Sequence, residues 1–270
     1  MIRVAGSSQT GPIRLENQDA YLVGSTVSRS TLASYGLSAD SELLAAHGLL
    51  VAVADGMGGY AGGALASWTV LSTIAVAFHR DRGRPYSRES AIEAVEEAVA
   101  ESQQVLAERL QTDGLGLDAG TTLAGAVFGP DGSLVVFGVG DSRVLWVGRA
   151  AARQLTVDDT PVGPGLAEGR IQVEQALRSD DLGLTRAITG DTAVRVRIAP
   201  EDAWRPGDRY VLGSDGWHGL GRGLPIDDVV AALRWGPSSE DVCRIMIDEA
   251  VARDGSDNAT AVVVYCDEGR

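Results

Sequence analysis

Cysteine and histidine are scarce in this chain of 270 residues, which contains two of the first and three of the second. The two cysteines, Cys243 and Cys266, are too few for a disulfide framework in a chain of this length, and their apolar neighbours predict core thiols in a reducing compartment. The histidines, His47, His79 and His218, lie in unrelated sequence contexts. A zinc site built on Cys or His is therefore disfavoured.

Basic side chains and long apolar runs are also in short supply. The chain has 23 Lys and Arg against 37 Asp and Glu, a formal net charge of −14, which disfavours a nucleic-acid partner because phosphate backbones bind clustered cations. A phosphorylated substrate stays compatible, since a bound cation can reverse the local field. We find no secretory signal and no apolar run near the roughly 18 residues of a membrane span. We therefore expect a cytoplasmic protein without a membrane segment.

Glycine, by contrast, is abundant, with 34 residues, many of them in pairs or beside aspartate, as in tight turns. Short strand-like runs joined by Gly-rich turns predict antiparallel sheets. Two pairs of helices are expected, the first over "AGGALASWTVLSTIAVAFHR" and "SRESAIEAVEEAVAESQQVLAERL", the second over "PIDDVVAALRW" and "SSEDVCRIMIDEAVARDG". No linker or low-complexity tract divides the chain, which predicts one α+β domain over residues 1–270.

Two segments lack a clear period. Residues 25–48 are polar, and we expect them to form a long surface insertion. Residues 158–191 are polar and irregular, with room for short helices. The tryptophans are scattered and are expected to pack in the core or on the surface; they are Trp68, Trp146, Trp204, Trp217 and Trp235.

Aspartate stands beside glycine or asparagine at the boundary of several strand-like runs. "LLVAVADGMGG" carries Asp55, "LVVFGVGDSR" carries Asp141 and "RYVLGSDG" carries Asp215, while Asp257 and Asp19 come just before strands. Any single Asp-Gly of this kind is ordinary turn chemistry, but the ordered set favours a site. Carboxylates gathered at one rim repel each other and are costly to bury, and a divalent cation removes that conflict.

The ligand types indicate which cation. An all-oxygen cluster is typical of a hard ion, Mg²⁺ or Mn²⁺. Gly56 and the pair Gly58-Gly59 leave space beside Asp55. The backbone carbonyl after Asp55 can then turn toward a metal, and a substrate can approach closely.

Eight motifs occur in the order found in a known family. They lie between Arg14 and Val264 and read "RLENQD", "VADGMGG", "GTTLAG", "GVGDSRV", "LTVDDT", "LTRAITG", "GDRYVLGSDG" and "SDNATAVVV". The ordered set resembles the bacterial branch of the metal-dependent, type 2C (PPM family) protein serine/threonine phosphatases. The resemblance implies a four-layer α-β-β-α sandwich of two antiparallel sheets flanked by helix pairs, with a two-metal centre in a cleft at one end of the sheets.

The resemblance also implies a set of metal ligands. Asp55 would bridge two Mn²⁺ or Mg²⁺ ions, and the Gly56 carbonyl would complete the second site. Asp215 and Asp257 would hold the first ion. Asp141 is similar to the residue that helps to bind a third, weaker metal in bacterial members.

By the same analogy, Asp19 and Arg14 serve the reaction. Asp19 would fix metal-bound waters from the outer shell, and the planar guanidinium of Arg14 would bind two phosphate oxygens. A hydroxide bridging the metals would attack phosphorus in line, without a covalent intermediate. The implied substrate is a phosphoserine or phosphothreonine in a protein, placed there by a Ser/Thr kinase.

Three features depart from the family pattern. Met57, which bacterial relatives commonly share, stands where animal relatives carry a histidine and cannot protonate the leaving alkoxide. Gly219 replaces an aspartate that usually helps to hold the third metal, which makes third-metal binding doubtful. His218 beside it is a candidate substitute ligand, but we expect it to be an exposed loop residue. The flap, residues 161–183, matches in length but weakly in residues, so substrate specificity does not carry over.

Other functions stay open from the residues alone. The main alternative is a catalytically weak or inactive pseudo-phosphatase that acts as a regulatory binding module; the intact Asp55, Asp215 and Asp257 argue against it. A second alternative narrows the substrate to a bacterial regulator of the anti-anti-sigma type. A small-molecule phosphatase has no supporting feature in the sequence.

Overall fold

The computed structural model describes residues 1–30, 33–37, 42–80, 85–179, 183–201, 203–219 and 222–267. Their strands are β1 (Ile2–Gln9), β2 (Ala20–Val23), β3 (Thr26–Ser28), β4 (Ala33–Leu37), β5 (Leu49–Ala54), β6 (Gly56–Met57), β7 (Gly120–Thr121), β8 (Leu123–Phe128), β9 (Leu134–Val139), β10 (Arg143–Val147), β11 (Ala152–Gln154), β12 (Ile188–Thr189), β13 (Arg197–Ile198), β14 (Arg209–Gly213) and β15 (Ala259–Cys266). Their helices are α1 (Glu42–His47), α2 (Gly59–Phe78), α3 (Arg88–Thr112), α4 (Gly163–Ala167), α5 (Val173–Ala176), α6 (Asp215–His218), α7 (Ile226–Trp235) and α8 (Ser239–Arg253).

Two antiparallel sheets form the centre of the fold. Sheet I has the strand order β11-β10-β14-β15-β1-β4, and sheet II has the order β13-β9-β8-β5-β2-β3. Helices α2 and α3 pack on sheet II, and α7 and α8 pack on sheet I. A third apolar cluster fills the space between the sheets. The predicted α+β fold, a four-layer α-β-β-α sandwich, is confirmed.

Strand β5 illustrates why the central strands are apolar along their whole length. Leu49, Val51 and Val53 belong to the core between the sheets, whereas Leu50 lies in the core under α2. Successive side chains in a strand point to opposite faces, and both faces of sheet II are covered. A polar side chain first becomes compatible with the surroundings at Asp55, where the strand leaves the core.

The helix boundaries follow local capping chemistry. Ser87 Oγ accepts from Ser90 N and Ser87 N donates to Ser90 Oγ at the start of α3, so that both backbone donors are satisfied. Ser238 Oγ accepts from Asp241 N at 3.0 Å at the start of α8. Gly255, with φ of 60°, follows the end of α8. The two predicted helix pairs are thus confirmed.

Helix α2 is more apolar than we expected from the sequence. Residues Ala61–Phe78 have a mean hydropathy of 1.5, which with their length meets the requirement for a membrane span, contrary to our expectation that no such run occurs. However, 67% of this window is buried inside the structure, against α3 and sheet II. The burial identifies α2 as a core helix.

The prediction of a surface insertion at residues 25–48 is wrong for much of the segment. Strand β3 pairs with β2 at the edge of sheet II, and β4 pairs with β1 at the edge of sheet I. Helix α1 follows before β5. The segment therefore adds an edge strand to each sheet; its residues 31–32 and 38–41 lie outside the described residues.

The structure also shows where the cysteines and two of the tryptophans lie. Cys243 and Cys266 are both buried and unpaired, as predicted. Trp217 is buried, as expected of a packing residue. Trp235 lies at the surface, at the end of α7, with 79% of its area exposed.

Candidate metal centre

The antiparallel topology gathers the predicted aspartates at one rim of the sandwich. Strands β5 and β14 end at this rim, and β2, β10 and β15 begin there, so residues that precede or follow these strands become neighbours. A cavity of about 610 Å³ opens at the rim. It is lined by these predicted site residues: Arg14, Asp55, Gly56, Met57, Asp141, Asp215 and Asp257. Asp19 does not line the cavity and is buried, 1% exposed.

The backbone of Asp55 is fixed by two threonines of the "GTTLAG" motif. Its N–H donates to Thr122 Oγ1 at 3.0 Å, and its carbonyl accepts from Thr122 N and from Thr121 Oγ1, both at 2.9 Å. Thr122 Oγ1 lies 2.7 Å from Ser142 Oγ, next to Asp141. This buried chain of hydroxyls connects the turn after β5 with the turn before β10, and our sequence analysis assigned it no role.

Asp19 is held from behind the cavity by hydroxyl groups. Its Oδ2 accepts from Ser214 Oγ and from Thr260 Oγ1, both at 2.6 Å. Its Oδ1 is buried and has no hydrogen-bond partner among the described residues. Burial raises the pKa of Asp19 to about 6, and the two hydroxyl donors offset part of that effect.

Burial, with mutual repulsion added to it, disfavours ionisation of the carboxylates in the cavity. Burial is the main cause that raises the pKa of Asp55 well above its ordinary value, and the charges of Asp19, Asp215, Asp257 and Asp141 add to it. The pKa of Asp141 is raised to about 7, again chiefly by burial. A group of carboxylates that disfavour each other's ionisation is a strong attractor for a cation.

Arg14 supplies a positive charge at the mouth of the cavity. Its Nη2 donates to Asp257 Oδ2 at 2.5 Å, and its Nε donates to Ser256 O at 3.0 Å. The Arg14 side chain remains 47% exposed. It is therefore tethered to one carboxylate of the rim while it stays accessible to a ligand in the cavity.

The donor set fits a hard divalent cation. Asp19 Oδ1 and Asp215 Oδ1 are buried oxygens without hydrogen-bond partners among the described residues, a condition that buried polar atoms rarely tolerate. Among the described residues, no three carboxylate, imidazole or thiol side chains lie close enough together to hold an ion without further ligands. Backbone oxygen and water would complete the coordination, as is usual for Mg²⁺.

Gly56 lies where no larger residue fits. A Cβ at this position would stand 2.1 Å from Gly63 O and 2.6 Å from Gln18 O. The start of α2 and the strand after Asp55 can pack this closely only because both contact residues, Gly56 and Gly63, lack side chains. The Cβ direction of Gly56 is thus occupied by backbone, whereas Gly59 has no atom within 4 Å of an added Cβ and, with Gly58, lines the cavity beside Asp55.

The segment around Gly219 differs from our expectation. His218 is buried, not exposed in a loop; its Nε2 lies 3.1 Å from Gly213 O, and burial lowers its pKa well below the ordinary value. Asp141, Asp215 and His218 line a side cavity of about 120 Å³ together with Arg222. A guanidinium group therefore stands beside the two aspartates on the side where the sequence has Gly219.

The flap is anchored by charged residues that our sequence analysis did not single out. Asp159, 3% exposed at its side chain, pairs with Arg186 at 3.2 Å and with Arg197 at 2.9 Å. The same carboxylate accepts from Gly140 N at 3.0 Å, which fixes the turn that carries Asp141. Asp159 lies in "LTVDDT" and Arg186 in "LTRAITG", whereas Arg197 lies in β13, outside both motifs.

Two short helices, α4 and α5, make up much of the flap, as expected for this irregular part of the chain. Gly183 and Leu184, at its end, line the cavity. Residues 180–182 of the flap lie outside the described residues. The flap therefore reaches the rim next to the aspartates.

The two packed sheets and the acidic rim cavity define the class of metal-dependent phosphatases with an α-β-β-α sandwich. Residues 39–254 match the sequence profile of the family described as Protein phosphatase 2C, and the chain belongs to this family. It is 30% identical over 264 residues to the Mycobacterium tuberculosis serine/threonine protein phosphatase PstP. That alignment covers 97% of this chain and 45% of the relative, so the chain spans about half the length of this curated relative.

Solved structures agree with this assignment. The crystal structure of the Mycobacterium tuberculosis phosphatase PstP/Ppp superposes with a TM-score of 0.76 at 28% identity, covering 99% of both chains. A structure of the PstP catalytic domain in complex with two manganese ions gives a TM-score of 0.74 at 27% identity, covering 99% of this chain and 100% of that one.

Proposed function

We propose that the chain is a protein serine/threonine phosphatase that hydrolyses phosphoserine and phosphothreonine with two Mn²⁺ or Mg²⁺ ions and without a covalent intermediate. The observation that carries the proposal is the convergence of Asp55, Asp141, Asp215, Asp257 and Arg14 on one cavity. Family membership and the manganese in the PstP catalytic domain support it.

The proposed ligands of the two ions are Asp55, the Gly56 carbonyl, Asp215 and Asp257. When bound, the ions supply a nucleophilic water of lowered pKa and neutralise phosphate charge. The protein keeps the ligands in place beforehand: the Thr121–Thr122 contacts hold the backbone of Asp55, and Ser214 and Thr260 hold Asp19. Asp19 would accept hydrogen bonds from water in the centre through its free Oδ1.

Arg14 is the proposed phosphate-binding residue. Its guanidinium is exposed at the cavity mouth and has donors to spare beyond Asp257 and Ser256. A planar fork of N–H groups binds two phosphate oxygens and stabilises charge that builds on them in the transition state. Met57 lines the same cavity and has no proton to give, so water would protonate the leaving alkoxide.

The centre is proposed to use two ions, with third-metal binding doubtful. Gly219 offers no side-chain ligand, and Arg222 lines the side cavity beside Asp141 and Asp215. The positive charges of Arg143 near Asp141 and of Arg222 near Asp215 compete with a further cation at this point.

A protein substrate, phosphorylated by a Ser/Thr kinase, is proposed because of the rim around Arg14. Ile13 and Leu15 line the cavity mouth and are 73% and 80% exposed. Apolar side chains in water on both sides of a phosphate-binding arginine suit a polypeptide. The net charge of −14 argues against a nucleic-acid partner. We further propose a single catalytic domain over residues 1–270 and a cytoplasmic location.

The test is hydrolysis of a phosphothreonine peptide with Mn²⁺, with Mg²⁺ and with EDTA. We expect turnover with either metal, none with EDTA, and none for Asp55→Asn, whereas Asp227→Asn on the exposed start of α7 keeps wild-type turnover. A folded wild-type protein that turns over no phosphopeptide with any metal would overturn the proposal in favour of the pseudo-phosphatase, a regulatory binding module.

A further inference from the structure

A second cavity, which the reaction does not use, lies at the opposite end of sheet I. Its volume is about 450 Å³. We call it the arginine pocket; it is lined by Val147, Gly148, Arg149, Gly207, Arg209, Arg234 and Trp235. These residues come from the end of β10, the start of β14 and the end of α7.

The arginine pocket is connected to the metal centre by the same two strands. Asp141 precedes β10 and Arg149 follows it, while Arg209 opens β14 and Asp215 follows it. Arg209 and Asp215 are six positions apart and Asp141 and Arg149 are eight positions apart, so at about 3.3 Å per residue the two sites are separated by roughly 20–26 Å. In an extended peptide, a group six to eight residues from the target can therefore reach from one site toward the other.

Charge distinguishes this pocket from the rest of the molecule. Three guanidinium groups meet here in a chain with a formal net charge of −14. Arg149 is exposed and has no ion-pair partner in the part of the chain that the structure describes. Arg209 forms an ion pair with Asp267 at 3.4 Å, and its guanidinium lies over the ring of Tyr265. The pocket thus retains positive charge that the described residues do not neutralise.

Arg234 is held in the wall of the pocket by its backbone contact. Its Nη2 donates to Gly148 O at 3.1 Å, which fixes the side chain against the pocket wall. Its Nε is buried and finds no acceptor among the described residues. The guanidinium group that lines the pocket is thus held by a single hydrogen bond among the described residues, and its remaining N–H groups can donate to an anion.

Trp235 provides an apolar surface next to these donors. It is the last residue of α7 and is 79% exposed. A large ring held in water beside arginines is typical of residues that contact a partner, because the ring contributes apolar area at little loss of side-chain freedom.

We propose that the arginine pocket binds an anionic side chain, phosphorylated or carboxylate, of the protein substrate, at a distance from the residue that is dephosphorylated. Arg149 and Arg234 donate to the anion, and Trp235 packs on the neighbouring part of the peptide. The inference deepens the proposed function and rests on it. It defines the substrate class as phosphoproteins with a second anionic group six or more residues from the target.

Kinetics on two peptides test the proposal. Both carry one phosphothreonine, and one of them also carries three glutamates eight residues away. For the wild type, we expect a KM about tenfold lower for the acidic peptide, as one charge-assisted contact provides. Arg149→Ala and Trp235→Ala should raise that KM to the value of the plain peptide, with kcat and turnover of p-nitrophenyl phosphate unchanged.

Two matched controls separate the pocket from general effects. Arg253→Ala removes another exposed arginine, and Trp68→Ala removes another exposed tryptophan; both should keep the preference. Equal KM values for the two peptides in the wild type, or loss of the preference in the controls, would overturn the proposal that the arginine pocket binds the substrate. Neither result would affect the phosphatase proposal.

A binding measurement makes the test independent of turnover. In EDTA, the fluorescently labelled acidic peptide should bind the wild type about tenfold more tightly than Arg149→Ala. Similar affinities of the two proteins would contradict peptide binding in the arginine pocket, whether or not the protein is an active phosphatase. Tighter Arg149-dependent binding of a single-stranded oligonucleotide than of the peptide would overturn the assignment to a protein substrate.

Discussion

Arg14 and Asp257, 243 positions apart in the chain, form an ion pair of 2.5 Å at the mouth of the metal cavity. Under the proposed function, Arg14 has two competing partners, a carboxylate of the rim and the phosphate of a substrate. Asp257 then has two competing cations, the guanidinium and a metal ion. The proposed roles predict that this contact connects metal binding with substrate binding.

Replacing Arg14 by alanine should therefore move two measurements in opposite directions. Freed from its partner, Asp257 should bind Mn²⁺ more tightly in calorimetry, because the local field becomes more negative. The kcat/KM for a phosphothreonine peptide should fall by about 10–100-fold with loss of a charge-assisted contact. Weaker Mn²⁺ binding in Arg14→Ala would contradict this account of the pair.

Thr122→Val should destabilise the protein and slow the reaction together. Valine cannot accept the hydrogen bond from Asp55 N, and a buried unsatisfied N–H costs about 1–3 kcal/mol. Ser142→Ala is the matched control, since it breaks only the hydroxyl pair of 2.7 Å and leaves the Asp55 contact intact. Urea denaturation and peptide turnover measure both effects. Equal losses in the two variants would refute a specific role for the contact between Thr122 and Asp55.

The exposed Leu15 should matter for peptides and not for small substrates. Leu15→Ser removes apolar contact area at the cavity mouth, where the side chain is 80% exposed. We expect a severalfold rise in KM for a phosphopeptide, in line with roughly 1 kcal/mol of lost burial. The kinetics of p-nitrophenyl phosphate should not change. A parallel change for both substrates would argue against a peptide-binding rim.

Gly56→Ala should affect both stability and metal affinity. The added Cβ would overlap Gly63 O, and such overpacking lowers the free energy of unfolding by on the order of 3 kcal/mol. The backbone shift that removes the overlap would also displace the carbonyl next to Asp55. Gly114→Ala is a useful control: Gly114 has φ of 68° and no atom within 4 Å of the added Cβ, so only backbone strain of roughly 1–2 kcal/mol is expected. Unaltered Mn²⁺ affinity in Gly56→Ala would speak against Gly56 as part of the centre.

His79 predicts a pH effect far from the metal centre. Burial lowers the pKa of His79, helped by the nearby His47 and opposed by the hydrogen bond with Ala75 O. Between the lowered pKa and the ordinary value near 6.5, the unfolded chain binds the additional proton, so the contribution of His79 to stability falls as the pH decreases through this range. His79→Gln should reduce the difference in urea midpoint between pH 7.5 and pH 5.5. An unchanged difference would exclude this contribution.

The elements of the fold that depend on local signals could be predicted from the sequence. The capping serines Ser87 and Ser238, and the periodicity that follows them, place α3 and α8. Asp55 and Asp215 stand out because a carboxylate at the end of an apolar strand conflicts with burial. That conflict is visible in a sequence, whatever the tertiary structure.

Other features depend on contacts that the sequence does not contain. Strand β4 is set by the free edge of β1, and a polar segment without a period gives no sign of it. The burial of His218 results from the packing of the α6 turn. The hydroxyl pair of Thr122 and Ser142 joins residues 20 positions apart, and threonine and serine are too common to mark such a pair in advance.

The pairing of β1 with β15 along eight residues, from Ile2↔Cys266 to Gln9↔Ala259, has a consequence for biosynthesis. Arg14 follows the first of these strands and Asp257 precedes the second, so the metal cavity needs two parts of the chain that leave the ribosome at very different times. A nascent chain in which β15 has not yet been synthesised lacks this pairing, and its acidic cavity is incomplete. Because long-range strand pairing is slow, we expect activity during refolding to recover only with the last phase, after the helices have formed.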